Sequence, residues 1–219
     1  MNLVSPADDR ITIDPKDLTI PEVYGFLLQC VSPRPIAFVS TLSKEGVSNL
    51  APFSYFMAGG ANPPSIAISP VSDRNGKPKD TLVNIRETGE FTINIVTYGI
   101  REKMNQTSAE YPTGVSEWDM VGFTPLPSDV VKPPFVAESP LAMECRLFEI
   151  VNHGGLPLSA NYVIGEVVRF HIAKSVMEDG KIDPLKVNYI SRMGGDWYAR
   201  ANEESMFELS RPLRPNSDG

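Results

Sequence analysis

The sequence predicts a mostly β chain with short helices, its strands forming a mainly antiparallel barrel. Three observations carry this. Twenty prolines and sixteen glycines stand among 219 residues, above the average of about 12% for the pair, so the chain is cut into short elements by many turns. Several runs are β-branched, aromatic or alternating. Successive strands follow one another without helices of crossover length, which fits a mostly antiparallel barrel better than a doubly wound sheet. The length suits one domain, with a core over about 20–200 and peripheral arms at 1–16 and 210–219.

The elements follow in order. Thr19 reads as an N-cap, Pro21 belongs to the first turn, and Glu22 can reach back as a capping box. Tyr24, Leu27, Leu28 and Val31 fall at helical spacing, and Pro33 and Pro35 end that helix near Ser32. Ile36 to Leu42, the turn Ser43–Gly46 and Val47 to Leu50 make a hairpin. Phe53 to Met57 and Ser65 to Ser69 are two more strands, separated by breaks at Gly59-Gly60 and Pro63-Pro64. Asp80 to Glu87 is a helix whose inner face is Leu82, Ile85 and the stem of Arg86, stopped by Gly89. Glu90 to Val96 alternates, with Phe91, Ile93 and Ile95 on one face. Residues 100–110 form one helix. Residues 112–140 hold eight prolines or glycines, a loop that either serves function or merely covers the core. Leu141 to Val151 and Asn161 to Val176 are long strands. In the second, Ile164, Val168, Phe170 and Ile172 share one face, and Val163, Val167, Arg169 and His171 the other.

A formal net charge of −7 argues against a nucleic-acid binder. Cys30 and Cys145 form no C-x-x-C and read as reduced core thiols. With His153 and His171 as the only histidines, no metal site is expected. Met1 to Arg10 lacks an apolar run and carries Asp8 and Asp9, so no secretory leader is read there. No stretch approaches the length of a membrane span. The cytoplasm is the expected location.

Four constellations could carry chemistry. Ser40 and Thr41 end one strand, and Asn49-Leu50-Ala51-Pro52-Phe53-Ser54 lies on its neighbour. Such small hydroxyl and amide groups suit a flat polar ligand, or ordinary turn chemistry. Lys79-Asp80-Thr81 opens a helix, where free N–H groups and a cation make an anion site, or only a cap. No P-loop or Rossmann glycine pattern is present. His171 reads as a structural hydrogen-bonder rather than a catalyst. Tyr189 to Tyr198, with Arg192, Gly194 and Gly195, is either a close approach to a flat ligand or a tight turn.

The ordered set Arg34-Pro-Ile-Ala-Phe-Val-Ser-Thr41, Gly46, Asn49 to Phe56, Pro63-Pro64, Lys79 to Thr81, Asn84-Ile85 and Glu90 to Asn94 resembles the flavin reductase-like family with the FMN-binding split barrel, flavoredoxin-like proteins included. Gly165 to Val168, His171-Ile172 and Arg192 to Gly195 with Tyr198 continue it, so the likeness runs from about Val31 to Tyr198. The resemblance implies a flavoprotein oxidoreductase, homodimeric, with FMN near the subunit interface and NAD(P)H as electron donor. It implies that the flavin lies on Ser40, Thr41, Asn49, Leu50, Ala51 and Ser54, and its phosphate on Lys79, Asp80 and Thr81. Exposed aromatics expected around Phe53, Tyr55 and Phe56 fit the interface. No side-chain acid or base is expected, because hydride passes directly to the flavin. The alternative is a flavin-binding electron carrier that serves a protein partner and turns over no small molecule of its own. Residues 112–140 are where family members differ.

Overall fold

The structure, a computed structural model, describes residues 10–109, 111 and 115–212. Residues 1–9 and 213–219, the outer parts of the expected arms at 1–16 and 210–219, and part of the 112–140 segment lie outside the described residues.

Helix α1 (Ile20–Cys30) begins as its sequence predicts. Glu22 Oε2 accepts from Thr19 N at 2.8 Å and from Thr19 Oγ1 at 2.6 Å. Strands β1 (Ala37–Leu42) and β2 (Ser48–Phe53) form the expected hairpin, with Gly46 at φ 85° in its turn. Strand β3 (Phe56–Ala61) runs through Gly59 and Gly60, where a break was expected, and pairs with β4 (Pro64–Ile68). A Cβ on Gly59 would stand 2.5 Å from Ser65 Oγ, so glycine here admits the neighbouring strand. Next come α2 (Asp80–Thr88), β5 (Glu90–Ile95), α3 (Arg101–Gln106), α4 (Glu117–Val121) and the short strands β6 (Pro125–Leu126) and β7 (Phe135–Val136). The helix expected over 100–110 is thus six residues, preceded by a 3-10 turn at Tyr98–Ile100. Two long strands, β8 (Leu141–His153) and β9 (Ala160–Ile172), are followed by the hairpin β10 (Met177–Glu178) and β11 (Lys181–Ile182), helix α5 (Pro184–Val187) and the hairpin β12 (Ile190–Gly194) and β13 (Trp197–Arg200).

Seven strands make one sheet in the order β2-β1-β5-β8-β9-β4-β3, and all its pairings are antiparallel. Its two edges, β2 and β3, are joined in sequence by Ser54 and Tyr55 alone. The sheet therefore curls round to bring its edges together at one end without closing the ladder between them. This is the split barrel, mostly β, that the sequence predicts.

Two apolar layers hold it. Inside, Ala37 and Val39, Ile66 and Ile68, Phe91 and Ile93, Cys145, Val163 and Val167 pack with Leu82 and Ile85 of α2, which plugs the barrel. Outside β1 and β5, Phe38 and Leu50 pack with Met104, Trp118, Val121, Phe123 and Val136. The described part of the 112–140 segment, residues 115–140, is thus a cover. It buries the second face of β5 as well, so Thr92 and Asn94 are as inaccessible as Phe91 and Ile93. Thr92 Oγ1 donates to Pro134 O at 2.9 Å, and Asn94 Oδ1 accepts from Val136 N at 2.8 Å. The expected alternation holds for hydrophobicity but not for burial.

Other expectations are corrected. The stem of Arg86 is exposed, and Thr81 and Asn84 are the polar residues that α2 buries beside Leu82 and Ile85. On β9, Val163 and Val167 face inward, whereas Phe170 and Ile172, expected as core neighbours of His171, are 57% and 41% exposed, because the face they share is left uncovered at that end of the strand. Cys145 is buried, and burial pushes its thiol pKa up; Cys30 is exposed on α1. Gly194 and Gly195 form the tight turn between β12 and β13, both at positive φ. Gly194 also lets α1 approach: a Cβ there would meet Leu28 O at 3.3 Å. Among the described residues no helix is long and apolar enough to cross a membrane.

Candidate functional site

The split between the barrel edges opens into a cleft of about 520 Å³, within the range of about 300–1,000 Å³ usual for ligand sites. Asn49, Ala51 and Ser54 line it from the end of β2 and the bend beyond, and Lys79, Asp80 and Thr81 from the start of α2. The structure thus brings two of the predicted constellations to one surface. Asn49 ties them together: its Nδ2 donates to Thr81 Oγ1 at 2.8 Å. Four residues on, at about 3.3 Å of rise each, Phe53 stands roughly 13 Å away, so the cleft is long rather than round.

Ser40, Thr41 and Leu50 lie elsewhere. All three are fully buried, and their side chains do not line the cleft. Thr41 supports it from below, its Oγ1 accepting from Asn84 Nδ2 at 3.0 Å and from Asn49 Nδ2 at 3.4 Å. Leu50 belongs to the outer apolar layer, and its backbone N–H donates to Glu117 Oε2 at 3.0 Å. Thr41 is inaccessible because the inward side of β1 is covered by α2. Ser40 and Leu50 are inaccessible because the outward sides of β1 and β2 are covered by α4 and its flanks.

At the α2 end, two lysines flank one proline: Lys77 joins Lys79 on the cleft wall. The turn before them is fixed by Asp73, whose Oδ1 accepts from Asn75 N and Lys77 N, each at 2.8 Å. Those bonds hold its carboxyl below the usual carboxylate range. The backbone N–H groups of the first helical turn and the helix dipole add to the positive potential. Glu117 lines the same region; burial pushes its carboxyl up, and the bond from Leu50 N pulls it part of the way back. At the other end Tyr24 and Tyr55 meet edge to face, with ring centroids 6.5 Å apart. Burial pushes the Tyr55 phenol up.

Ser69 was missed by sequence reasoning. It lies on the cleft wall, 7% exposed, and its Oγ has no partner among the described residues. A buried hydroxyl without a partner is costly, and a ligand with polar edges would satisfy it. Lysines at one end, amide and hydroxyl groups along the wall, and aromatic rings at the other make a donor set that fits a flat, anionic ligand such as FMN. The signal for Lys77 stood in the sequence as Lys77-Pro78-Lys79. Tyr24, Ser69 and Glu117 gave none, because the fold alone brings their segments together.

His171 is not in the cleft. Its Nε2 lies 2.6 Å from Glu144 Oε1, and its ring stacks on Phe135 at 4.3 Å. Asp129 is near enough to complete a three-ligand cluster, but the Glu144 oxygens are already engaged. They accept from Asp129 N at 2.8 Å, Val130 N at 2.7 Å and Val131 N at 2.9 Å. Burial alone would push the Glu144 carboxyl up; the His171 bond and these three N–H groups together hold it below the usual range. The cluster pins the 112–140 cover to the barrel.

Comparison with known proteins agrees with this architecture. The chain is 39% identical over 203 residues to the protein BH2278 of Halalkalibacterium halodurans, covering 91% of this chain and 96% of that one. The solved structure of nitrilotriacetate monooxygenase component B from Bacillus cereus matches with a TM-score of 0.86 and 38% identity, over 93% of this chain and 100% of the other. That of Pseudomonas fluorescens 2-nitrobenzoate 2-nitroreductase NbaA matches with a TM-score of 0.82 and 30% identity, over 95% and 100%. The model of the flavin reductase like domain matches residues 29–190, from the end of α1 to the first residue of β12 and including every residue of the cleft but Tyr24, so the chain belongs to the flavin reductase-like family.

Proposed function

We propose that this protein is an FMN-dependent oxidoreductase that takes electrons from NAD(P)H. The observation that carries the reading is the single cleft in which Asn49, Ala51 and Ser54 meet Lys79, Asp80 and Thr81 across the barrel split. Lys77, Lys79 and the N–H groups of the first turn of α2 would hold the phosphate by charge-assisted hydrogen bonds. Ala51 leaves room for a ring to lie on the sheet edge, while Ser54 and Ser69 offer hydroxyls to its polar rim. Tyr24 and Tyr55 would shield one end from water. The bound flavin supplies the hydride chemistry. Asn49 positions rather than reacts, because its amide is spent on Thr81 and Thr41. No protein acid or base is assigned, and His171 is a strut for the cover.

A homodimer fits the surface. Phe53 and Phe56, expected to be exposed, instead pack partly into the barrel. Phe26 and Leu27 on α1, Val31 just past its end and Met57 on β3 are exposed. Tyr24 of α1 and Tyr55, next to β3, touch each other and also line the cleft, so a partner on this face would stand at its rim.

Titrating flavin-free protein with FMN and FAD tests the cofactor. Tight FMN binding is expected, since the cleft has one cationic end and the chain lacks glycines for a pyrophosphate; a preference for FAD above about tenfold overturns it. Steady-state NAD(P)H oxidation with FMN then tests turnover. Bound FMN without NAD(P)H oxidation would favour the electron-carrier reading.

A further inference from the structure

Among the described residues Arg34, just before β1, is the one buried arginine, 3% exposed. It is held on every side. Its backbone N and O pair with Arg192 O and N, both at 2.9 Å. Its Nη1 donates to Leu28 O, to Val31 O at 2.6 Å and to Ser32 Oγ at 3.0 Å, capping the carbonyl end of α1. Its Nε donates to Ser54 Oγ at 3.3 Å. Two features are unexplained by this capping role. Arg34 Nη2 is buried with no hydrogen-bond partner among the described residues. No described carboxylate lies within 4.0 Å of the guanidinium, so its charge is compensated only by the negative end of the α1 dipole. A buried charge left unpaired is expensive. Capping a helix alone would be done as well by a neutral donor.

The location gives the charge a use. Arg34 stands one side chain behind the cleft wall, bonded to Ser54 and close enough to Tyr55 and Tyr24 to interact with both electrostatically. All three line the cleft. Arg192, on β12, is a second positive group near enough to act on Arg34. No carboxylate is among the groups acting on Arg34; those are Tyr55, Arg192 and Tyr24.

We propose that Arg34 supplies the positive charge that stabilises the flavin ring in its reduced, anionic form, and that through Ser54 it positions the ring. The proposal rests on the FMN reading above. A hydride carries two electrons and one proton. Its transfer from a reduced nicotinamide to the neutral oxidised ring leaves the donor with one positive charge and the ring with one negative charge. A fixed cation in a low-dielectric wall favours that product over the neutral ring. Arg34 is thus a positioning residue with an electrostatic effect on the redox equilibrium, and the chain supplies it from the Arg34-Pro35 step that ends the α1 connection.

The test is the dissociation constant of oxidised and of reduced FMN for wild type, Arg34→Gln and Arg34→Lys. In Arg34→Gln the reduced form is expected to weaken at least about tenfold more than the oxidised form. For a two-electron couple that equals a drop of about 30 mV in the potential of the bound flavin. Arg34→Lys is expected to recover part of it. A merely structural role would weaken both forms alike, and an unchanged ratio in folded Arg34→Gln overturns the proposal. If Arg34→Gln does not fold, the wild-type potential measured against mildly acidic pH decides. One proton taken up per electron pair supports an anionic ring, and two protons overturn it. Failure of the FMN reading looks different, for then wild type binds neither form.

Discussion

Glu144 is fully buried and its carboxylate has four hydrogen-bond partners. Its two oxygens accept from three consecutive backbone N–H groups and from His171. Glu144→Gln replaces one acceptor oxygen by a donor that must face an N–H group. A loss of about 3 kcal/mol is expected by urea denaturation, within the range for breaking a buried charged network. His171→Gln keeps a donor and should cost less, about 1–2 kcal/mol. Because His171 is outside the cleft, its replacement should lower kcat for NAD(P)H oxidation by less than about tenfold, short of the ~10²–10⁴ of an acid–base group. A hundredfold fall with FMN still bound would make it a catalyst. Lys79→Ala tests the other end of the site. A charge-assisted phosphate contact contributes roughly 1.5–3 kcal/mol, so FMN affinity should fall on the order of tenfold to a hundredfold while riboflavin affinity holds. Equal weakening of both would place the phosphate elsewhere.

At the scale of elements, the barrel depends on one close approach. Gly165 on β9 faces Phe91 on β5, and a Cβ there would stand 2.5 Å from Phe91 Cζ. Phe91 is fully buried among Ile93, Cys145 and α2, so it has nowhere to go. Gly165→Ala is expected to cost about 1–3 kcal/mol in thermal or urea unfolding, the usual effect of overpacking. Little change would mean that the barrel interior is looser than its packing implies. The strand β5 shows how far local pattern reaches. Its alternation groups Phe91, Ile93 and Ile95 on one face, and the first two pack inside the barrel while Ile95 packs beside Leu141, Val176 and Val187. That Thr92 and Asn94 are equally buried follows from Pro134 and Val136, more than forty residues away, and no local signal announces it.

For the whole molecule, the Glu144 network gives stability a pH dependence. A carboxyl held below its ordinary value stabilises the fold above about pH 4.3, the unfolded glutamate value. The contribution is lost as pH falls through the lower folded value. Chemical denaturation at descending pH should show wild type losing stability below about pH 4.3 more steeply than Glu144→Gln; equal slopes would remove Glu144 as the cause. The exposed face of α1 and β3 bears on assembly. Light scattering at micromolar concentration is expected to give twice the chain mass. Leu27→Arg, at a position 50% exposed in the single chain, should give a monomer that still folds. A wild-type monomer would count against the homodimer.

The sequence by itself determined the strand-rich architecture, the α1 capping box, the β1–β2 hairpin and the helix behind Lys79. Each is written in residues close together in the chain, where turn chemistry and periodicity act. It also determined the family, through short motifs in a fixed order. Tertiary structure alone decided which candidate residues face a common space. Ser40, Thr41 and Leu50 sit in the same short stretch as Asn49, Ala51 and Ser54, yet α2 and the 112–140 cover bury the first three, while the split between β2 and β3 leaves the others open. Tertiary structure also left Phe170 and Ile172 uncovered, and put Ser69 and Arg34 in and behind the cleft wall. The physical reason is that a strand's own pattern says only which side chains share a face. What lies against that face is set by segments tens of residues away, whose approach depends on how the whole sheet curls.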